Sequence, residues 1–404
     1  MRYFNYLSEE EEQLLFYESP VSFDNTSDKE LLSIAIGAAL YTPATRQTIA
    51  DDIVSGKHEG LTSLVLDLED AVGDHQLELA EECLIQQLRR LSAWIRLGTM
   101  TVQSLPLLFI RVRSPEQMHK MLTLLKEDAA LLTGFVFPKF TVDNAHQYLQ
   151  LLMDYNRFKS PSAAVLYGMP ILETAAVIYR ESRLDTLLTI KKLLKPYKEY
   201  ILNIRIGATD FSSLFGIRRS SDMTIYDLGV IRDCVMDIIN VFGRVEDGYV
   251  ISGPVWEYFN SDRSPKQTVL QNPFEDALGR KGRRVRMQVV NRQTDGLLRE
   301  IALDKENGLI GKTIIHPTHI SMVQALLVVS YEEYLDATSI IANNNGYLGV
   351  MKSQYANKMN EIKPHLNWAQ RIMNRSKVYG VFHENQNFNS LLVRLGQEQA
   401  YVQN

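Results

Sequence analysis

Charged residues stand at the ends of several short apolar runs, where they could act together on one substrate. Such residues close six of the eight β-rich runs in the chain. A single charged strand end would mean little, so the repetition of the pattern is the informative feature. The residues concerned are Glu69, Asp70, Arg111, Arg113, Lys139, Glu173, Asp210, His316 and His319.

The carboxylates of this set suit a magnesium site. Glu173 and Asp210 offer hard oxygen ligands, and Glu69 and Asp70 are expected nearby. Mg²⁺ commonly binds one or two carboxylates and keeps several of its waters. No cluster of cysteine and histidine favours zinc. The predicted cofactor is therefore Mg²⁺, held by Glu173 and Asp210.

Arg111 adds a cation to these carboxylates. Its planar guanidinium is suited to hold a substrate carboxylate through two parallel hydrogen bonds. A metal ion and an arginine together would stabilise an oxyanion or enolate as it develops. Cleavage of a carbon–carbon bond next to a carbonyl needs that stabilisation, so these residues predict a carbon–carbon lyase.

The acids of the stretch "LDLEDAV" also have structural explanations. Glu69 and Asp70 could cap the following helix, and we expect them to serve the site as well. Asp67 alternates with Glu69 and could point into the sheet or toward a helix. Of the three, Asp67 is the one expected to be structural.

The basic residues of the set are less specific. Arg113 is either an ion-pair partner or a contact to the substrate, and Lys139 either binds substrate or simply bounds its strand. A lone lysine beside metal ligands does not indicate a Schiff base. His316 is expected to order the site by hydrogen bonding rather than to form a metal pair with His319.

The eight apolar runs alternate with helix-length segments, which indicates an α/β fold. Most of the runs are continuously apolar, as is typical of strands covered on both faces. Eight β–α units predict a (β/α)8 TIM barrel, whose functional residues lie at the carboxyl ends of its strands. A Rossmann-like open sheet is the alternative, but no GxGxxG motif follows any run. The predicted strands are 38–43, 63–70, 107–113, 134–140, 164–174, 201–211, 249–255 and 312–319.

The barrel is predicted to occupy residues 1–335, with a short N-terminal helical cap in the first ~30 residues. Residues 256–300 form a long polar connection between the last two strands, and loops of that length are often functional. Residues 336–404 are predicted to form a helical C-terminal extension that packs on a neighbouring subunit.

Composition excludes several classes of protein. The 404 residues carry 43 basic and 48 acidic side chains, a balance that does not indicate nucleic-acid binding. No apolar run approaches the length of a membrane helix, and the acidic N-terminus does not resemble a signal peptide. The two cysteines do not suggest a disulfide framework. These features predict a cytoplasmic protein without a membrane partner.

Several motifs resemble one enzyme family in the order in which that family carries them. They cover about residues 38–335, and "NKMNEIKPHLNWAQRI" resembles the family's closing segment. The family is that of the citrate lyase β-subunit and malyl-thioester lyases, also called the HpcH/HpaI aldolase group. The chain looks especially like the TIM-barrel carbon–carbon lyase branch linked with tellurite-resistance and stress gene clusters. The motifs are "ALYTPA", "LDLEDAV", "IRVRS", "FPKF", "ILETAAVI", "IGATDFSSLFGIRR" and "GLIGKTIIHPTHISMVQ".

The resemblance implies roles for particular residues. Glu173 and Asp210 match the family's Mg²⁺ ligands, and Arg111 matches its substrate and enolate arginine. The acidic pair of Glu69 and Asp70 would hold metal-bound water. Glu361 stands where relatives carry an aspartate that reaches a neighbouring subunit's site as acid or base. The resemblance thus implies a homo-oligomer, a trimer or hexamer, acting on a small anionic carboxylate or its thioester.

Three departures from the family pattern concern the thioester. The arginine that relatives carry before the first barrel strand is absent from "IAIGAALYTPA". Arg113 replaces an asparagine, and the usual basic residue after "DLEDAV" is missing. These differences weaken the expectation of a coenzyme A thioester, while the metal and enolate residues are retained.

Two other functions remain open on the sequence. The basic run Gly279–Gln288 could bind phosphate in a phosphoenolpyruvate-type Mg²⁺ enzyme, although a solvated loop explains it as well. Alternatively, the barrel could be a non-catalytic partner in a stress-response complex. The fold does not separate these functions, because TIM barrels host many chemistries.

Overall fold

The structure is a computed structural model that describes residues 1–161, 163–259 and 292–392. The strands are β1 Phe16–Glu18, β2 Ala38–Pro43, β3 Ser63–Asp67, β4 Leu107–Arg111, β5 Leu132–Phe137, β6 Tyr167–Leu172, β7 Ile204–Ile206, β8 Ile251–Trp256, β9 Lys312–Ile314, β10 Val350–Lys352, β11 Met359–Glu361 and β12 Val381–Phe382. The helices are α1 Glu9–Leu15, α2 Lys29–Ala35, α3 Ile49–Val54, α4 Leu77–Arg96, α5 Pro115–Leu125, α6 Val142–Phe158, α7 Ala175–Ile178, α8 Arg183–Leu194, α9 Ala208–Leu214, α10 Gly229–Phe242, α11 Arg292–Glu306, α12 Ile320–Leu327, α13 Tyr331–Ala342 and α14 Ile362–Tyr379.

Strands β2 to β9 form a closed parallel barrel in chain order. The first and last of them pair directly, with Ala38 opposite Lys312, so the sheet has no open edge. The TIM barrel predicted from the sequence is confirmed, and the Rossmann-like alternative is excluded. The strands β7 and β9 are only three residues long, because the polar residues predicted at their ends already belong to the following loops and helices.

Apolar continuity explains why these segments form barrel strands. Every residue of β3, β4, β5 and β6 is buried, as expected when helices cover one face and the barrel interior fills the other. The helices carry one apolar stripe each. In α4, the buried residues Ala80, Leu84, Leu88 and Leu91 recur every three or four positions and face the sheet.

Capping residues start two of the barrel helices where the sequence leaves a strand. The Ser114 side chain accepts a hydrogen bond from the Gln117 N–H, and Pro115 occupies the first turn of α5. In α6, Thr141 and Asn144 form a reciprocal capping box. These helix starts lie directly after the motifs "IRVRS" and "FPKF", so they fix the ends of strands that carry candidate site residues.

A buried ionic network holds the segment that follows α9. The ammonium of Lys312 lies 2.8 Å from Glu300 and 2.7 Å from Asp304, and Arg219 pairs with the second oxygen of Glu300. The Tyr226 hydroxyl donates a hydrogen bond of 2.6 Å to Asp304. Arg219 also lies 3.3 Å from Glu257, so two cations pair with three carboxylates here, and buried charges are tolerated when they are paired in this way. The network ties α11 and β9 to the loop after "IGATDFSSLFGIRR".

The chain divides into two units by its internal contacts. The first holds residues 23–259 and 292–320, and it contains the barrel. The second holds residues 2–22 and 321–392. Residues 2–22, for which the sequence predicts an N-terminal cap of the barrel, therefore group with the C-terminal segment.

The second unit has its own apolar core. Helices α13 and α14 pack together around buried Val329, Ile340, Ile362 and Ile372. Strand β1 pairs antiparallel with β12, and β10 pairs with β11. The extension predicted as helical therefore contains one small sheet, β10 with β11, and supplies β12 to a second sheet in addition to its helices. Its predicted packing on a neighbouring subunit stays a prediction.

Most of the long connection predicted at residues 256–300 lies outside the described residues, including the basic run Gly279–Gln288. Trp256 still belongs to β8, and α11 begins at Arg292. None of the helices in the described ranges combines the length and the apolar character that crossing a membrane requires.

Candidate active site

A cavity of about 350 Å³ opens in the barrel unit at the carboxyl ends of the strands. Pro43, Asp67 and Arg111 are the last residues of β2, β3 and β4, and all three line it. Active sites of TIM barrels lie at this end of the strands. The charged residues that line the cavity are Asp67, Asp70, Arg111, Glu173, Arg205 and Asp210.

Asp67 and Arg111 form a bidentate ion pair at the wall of the cavity. The register places them opposite each other on β3 and β4. Arg111 donates from Nε and Nη2 to the two oxygens of Asp67, at 2.7 and 2.5 Å. The same oxygens accept the backbone N–H groups of Glu69 and Ala71. Asp67 therefore orients Arg111 and also fixes the loop that follows β3.

The third nitrogen of Arg111 is also committed. Its Nη1 lies 3.0 Å from Glu69 Oε2 and 3.2 Å from Asp70 Oδ2. All three guanidinium nitrogens thus face carboxylates of this chain, and Arg111 is almost fully buried. The sequence predicts Arg111 as the fork for a substrate carboxylate, whereas its charge in the structure is already compensated by three acids.

Lys139 joins the same acidic pair from the next strand along the barrel. Its ammonium contacts Glu69 and lies 3.6 Å from Asp70. Burial alone would lower the pKa of this ammonium, but the ion pair with Glu69 raises it. Lys139 is therefore a protonated cation at neutral pH, which is consistent with ion pairing and disfavours a Schiff-base nucleophile.

The backbone at Lys139 positions Glu173. Lys139 has a φ of 45°, a conformation that is uncommon outside glycine. Its N–H donates a hydrogen bond of 2.6 Å to Glu173 Oε1. The other oxygen, Oε2, lies against Gly207, where a Cβ atom would overlap it. The glycine of "IGATDF" is thus needed for the carboxylate of Glu173 to fit.

The environment of Glu173 and Asp210 disfavours two negative charges. Burial, reinforced by the charge of Asp210, raises the pKa of Glu173 to about 8. Burial and the charge of Asp70 also raise the pKa of Asp210. Among the described residues, no lysine or arginine forms an ion pair with either carboxylate. A cation bound between them would remove the penalty.

Arg113 takes part in holding the loop after β3. Its guanidinium donates hydrogen bonds to the carbonyls of Leu68 and Val72, at 2.8 and 2.5 Å, and Nη1 lies 2.5 Å from Asp74. Arg113 does not appear among the residues lining the cavity. Of its two predicted roles, the structure supplies the contacts for the ion pair and not for substrate binding.

The two histidines after β9 make different contacts. His316 Nδ1 and Thr318 Oγ1 share a hydrogen bond of 2.8 Å, and the His316 ring stacks on Phe259 with ring centroids 4.6 Å apart. His319 is buried, and burial lowers its pKa to about 4. These contacts tie His316 to its own loop and to Phe259, and its expected role in ordering the site by hydrogen bonding stays a prediction.

Glu361 belongs to the second unit. It precedes α14 as its N-cap residue, its side chain is exposed, and its backbone N–H donates to His365 Nδ1 at 3.0 Å. Its role as an acid or base toward a neighbouring subunit stays a prediction.

Arg205 is a cavity residue that the sequence reasoning missed. It is the central residue of β7, flanked by Ile204 and Ile206, and only 1% of it is exposed. Its Nη2 donates a hydrogen bond of 2.6 Å to Thr313 Oγ1. The available signal in the sequence is the lone arginine inside the apolar run "NIRIG". Side chains alternate between the two faces of a strand, and this one faces the barrel interior.

Comparisons with known proteins agree with this architecture. A family model described as C–C bond lyase of the TIM-barrel fold matches residues 30–381. A citrate lyase from Burkholderia xenovorans LB400 is similar in structure, with a TM-score of 0.55, 15% identity, and coverage of 85% of this chain and 92% of that one. The protein CitE from Mycobacterium tuberculosis, in complex with magnesium, acetoacetate and coenzyme A, has a TM-score of 0.50, 17% identity and coverage of 85% and 99%. No curated protein matches at a significant level.

Proposed function

The chain belongs to the family of carbon–carbon bond lyases of the TIM-barrel fold, and we propose that it cleaves a 3-hydroxy acid or its thioester in a Mg²⁺-dependent reaction. The observation that carries this proposal is the pair of Glu173 and Asp210. They line the cavity as neighbouring acids, and their raised pKa values favour the uptake of a proton or a cation.

The donor set fits magnesium. Within the described ranges, no third side chain is arranged to complete a metal cage with these two carboxylates. Two carboxylates suit Mg²⁺, because this ion keeps waters and substrate oxygens as its other ligands. Glu173 is held rigidly by the Lys139 N–H and by the space at Gly207. When bound, Mg²⁺ would supply Lewis-acid stabilisation of negative charge that develops on the substrate.

The other residues of the site prepare the cavity for that charge. Asp67 holds Arg111 against the cavity wall, where Arg111 balances the charges of Asp67, Glu69 and Asp70. Fixed charges of this kind need no reorganisation when the reaction proceeds. Lys139 neutralises Glu69, which limits the repulsion among the acids.

Proton transfer is assigned, as part of the proposal, to Glu361 of a neighbouring copy in a homo-oligomer. The hydroxyl proton must be removed as the bond breaks, and a proton must then be returned to carbon. Glu361 would take up the hydroxyl proton as a base and return it as an acid, since its exposed carboxylate is free of ion pairs to any described residue. Glu361→Gln should lower turnover without changing Mg²⁺ binding. The oligomeric state is measured by light scattering, and a monomer would refute a shared site.

The test combines metal binding with turnover. Wild-type protein would be titrated with Mg²⁺ by calorimetry and assayed with a panel of 3-hydroxy acids and their thioesters. We expect Glu173→Gln and Asp210→Asn each to weaken Mg²⁺ binding and to abolish turnover. Asp233→Asn, an exposed acid on α10, serves as the matched control. Turnover that survives both substitutions would refute the proposal.

A further inference from the structure

Arg205 lies inside the barrel and reaches across it. Its strand β7 pairs with β6 and β8, yet its Nη2 hydrogen bonds Thr313 on β9, which is not a neighbour of β7. The bond therefore crosses the barrel interior. Both residues line the cavity that contains Glu173 and Asp210.

Arg205 has few partners for a buried cation. Apart from Thr313, its Nη1 contacts the Met169 sulfur at 4.0 Å, and its Nε has no hydrogen-bond partner. Within the part of the chain that the structure describes, no carboxylate forms an ion pair with it. A buried charge of this kind costs stability unless something compensates it.

The two arginines of the cavity differ in just this respect. Both guanidinium groups contact the ring of Tyr41, Arg111 at 5.2 Å and Arg205 at 5.7 Å from its centroid. Arg111 faces three carboxylates, whereas Arg205 faces none among the described residues. The cavity thus holds one arginine whose charge is already matched and one that can match the charge of a ligand.

We propose that Arg205 binds the carboxylate of the substrate inside the cavity, with the Thr313 hydroxyl beside it, so that the substrate class is a small free carboxylic acid. This inference rests on the proposed function and deepens it. A carboxylate accepts two parallel hydrogen bonds from a guanidinium, and such bonds are strong where water is excluded. Arg205 is then a binding residue that sets specificity, and Arg111 stays with its acids.

The size of the cavity agrees with such a ligand. Its volume of about 350 Å³ equals that of roughly twelve waters, counting ~30 Å³ for each. A hydroxy or oxo acid of several carbon atoms fits that space. If the substrate carried a thioester in place of this carboxylate, that neutral group would leave the charge of Arg205 unmatched.

Calorimetric binding tests the inference, with acetoacetate as the probe and its methyl ester as the neutral comparison, both at saturating Mg²⁺. We expect wild-type protein to prefer acetoacetate over the ester. Arg205→Met should weaken acetoacetate binding about 10- to 100-fold and leave ester binding unchanged. Arg205→Lys should recover part of the loss. Arg232→Met, an exposed arginine on α10, is the matched control.

A second readout needs no ligand. Because Arg205 is buried without a described carboxylate partner, Arg205→Met should leave the thermal midpoint unchanged or raise it. A midpoint that falls well below that of Arg232→Met would mark Arg205 as a structural residue and overturn the inference. The inference would also be overturned if wild-type protein failed to bind acetoacetate, or if Arg205→Met weakened the binding of acetoacetate and of its methyl ester equally.

The failures of the two proposals are distinguishable. If no acid is cleaved but acetoacetate binding still depends on Arg205, the proposed lyase reaction fails and the carboxylate site stands. If an acid is cleaved with the same KM in wild type and Arg205→Met, the lyase reaction stands and the carboxylate site fails.

Discussion

Replacing Asp67 by asparagine should destabilise the barrel more than any exposed charge substitution. Each oxygen of Asp67 accepts two hydrogen bonds, one from Arg111 and one from a backbone N–H of the following loop. An asparagine has one carbonyl oxygen and one NH2 group. In either orientation, the NH2 group would face two donors and leave both without an acceptor.

The magnitude follows from burial. Asp67 is 1% exposed, and breaking a buried ion pair by removing one partner costs about 3–5 kcal/mol. Arg111 keeps Glu69 and Asp70 as partners, so we expect a loss near the lower end, about 3 kcal/mol. That is a large share of the stability of an ordinary domain.

Urea denaturation measures this loss as a change in the free energy of unfolding. Asp74→Asn is the matched control, because Asp74 also pairs with an arginine, Arg113, but is exposed to solvent. We expect no measurable loss in the control. A loss for Asp67→Asn no larger than for Asp74→Asn would refute the assignment of Asp67 as the residue that orients Arg111.

Three further predictions concern the candidate metal pair and the buried network. Because the pKa of Glu173 is raised from 4.5 to about 8, the folded protein holds this proton more tightly than the unfolded chain. Without metal, the stability of the folded protein should therefore fall as the pH rises from about 5 to 8, by at most about 1.4 kcal/mol per pH unit. Thermal melts measure this pH dependence, and it should become weaker when Mg²⁺ is added or when Glu173 is replaced by glutamine. Gly207→Ala should weaken Mg²⁺ binding at least ~10-fold by calorimetry, since its Cβ displaces the Glu173 carboxylate. Gly229→Ala, which has open space, should bind normally, and equal affinities would contradict the proposed ligand. Tyr226→Phe should cost about 1–2 kcal/mol in urea denaturation by removing the hydrogen bond to Asp304, and an unchanged midpoint would contradict that bond's role.

The fold could be predicted from the sequence because the barrel strands are continuous apolar runs. Ala38–Pro43 agrees with its prediction to the residue, and each of the eight predicted runs overlaps one barrel strand. The strand ends were predicted less well. The runs 201–211 and 312–319 are too long, since the residues after Ile206 and Ile314, polar ones among them, already belong to the following loops and helices.

The site could be predicted in part, because charged residues at parallel strand ends meet on one rim. The sequence does not predict which groups each of these charged side chains pairs with. Whether Arg111 is open to a ligand depends on how many carboxylates face it, and sequence spacing does not give that number. Arg205 was missed for a related reason. It lies within a strand rather than at its end, so a search of strand ends passes over it.

The distribution of charge explains why the cavity should need two ligands at once. Arg111 and Lys139 are matched by the acids of β3 and of the loop that follows it, which leaves Glu173 and Asp210 without a paired cation and Arg205 without a paired anion among the described residues. A divalent cation balances the two acids, and a carboxylate balances the arginine. Either ligand alone leaves one buried charge uncompensated. A small acid that reaches both the metal and Arg205 removes both penalties, and this favours a free acid over a substrate whose corresponding end is neutral.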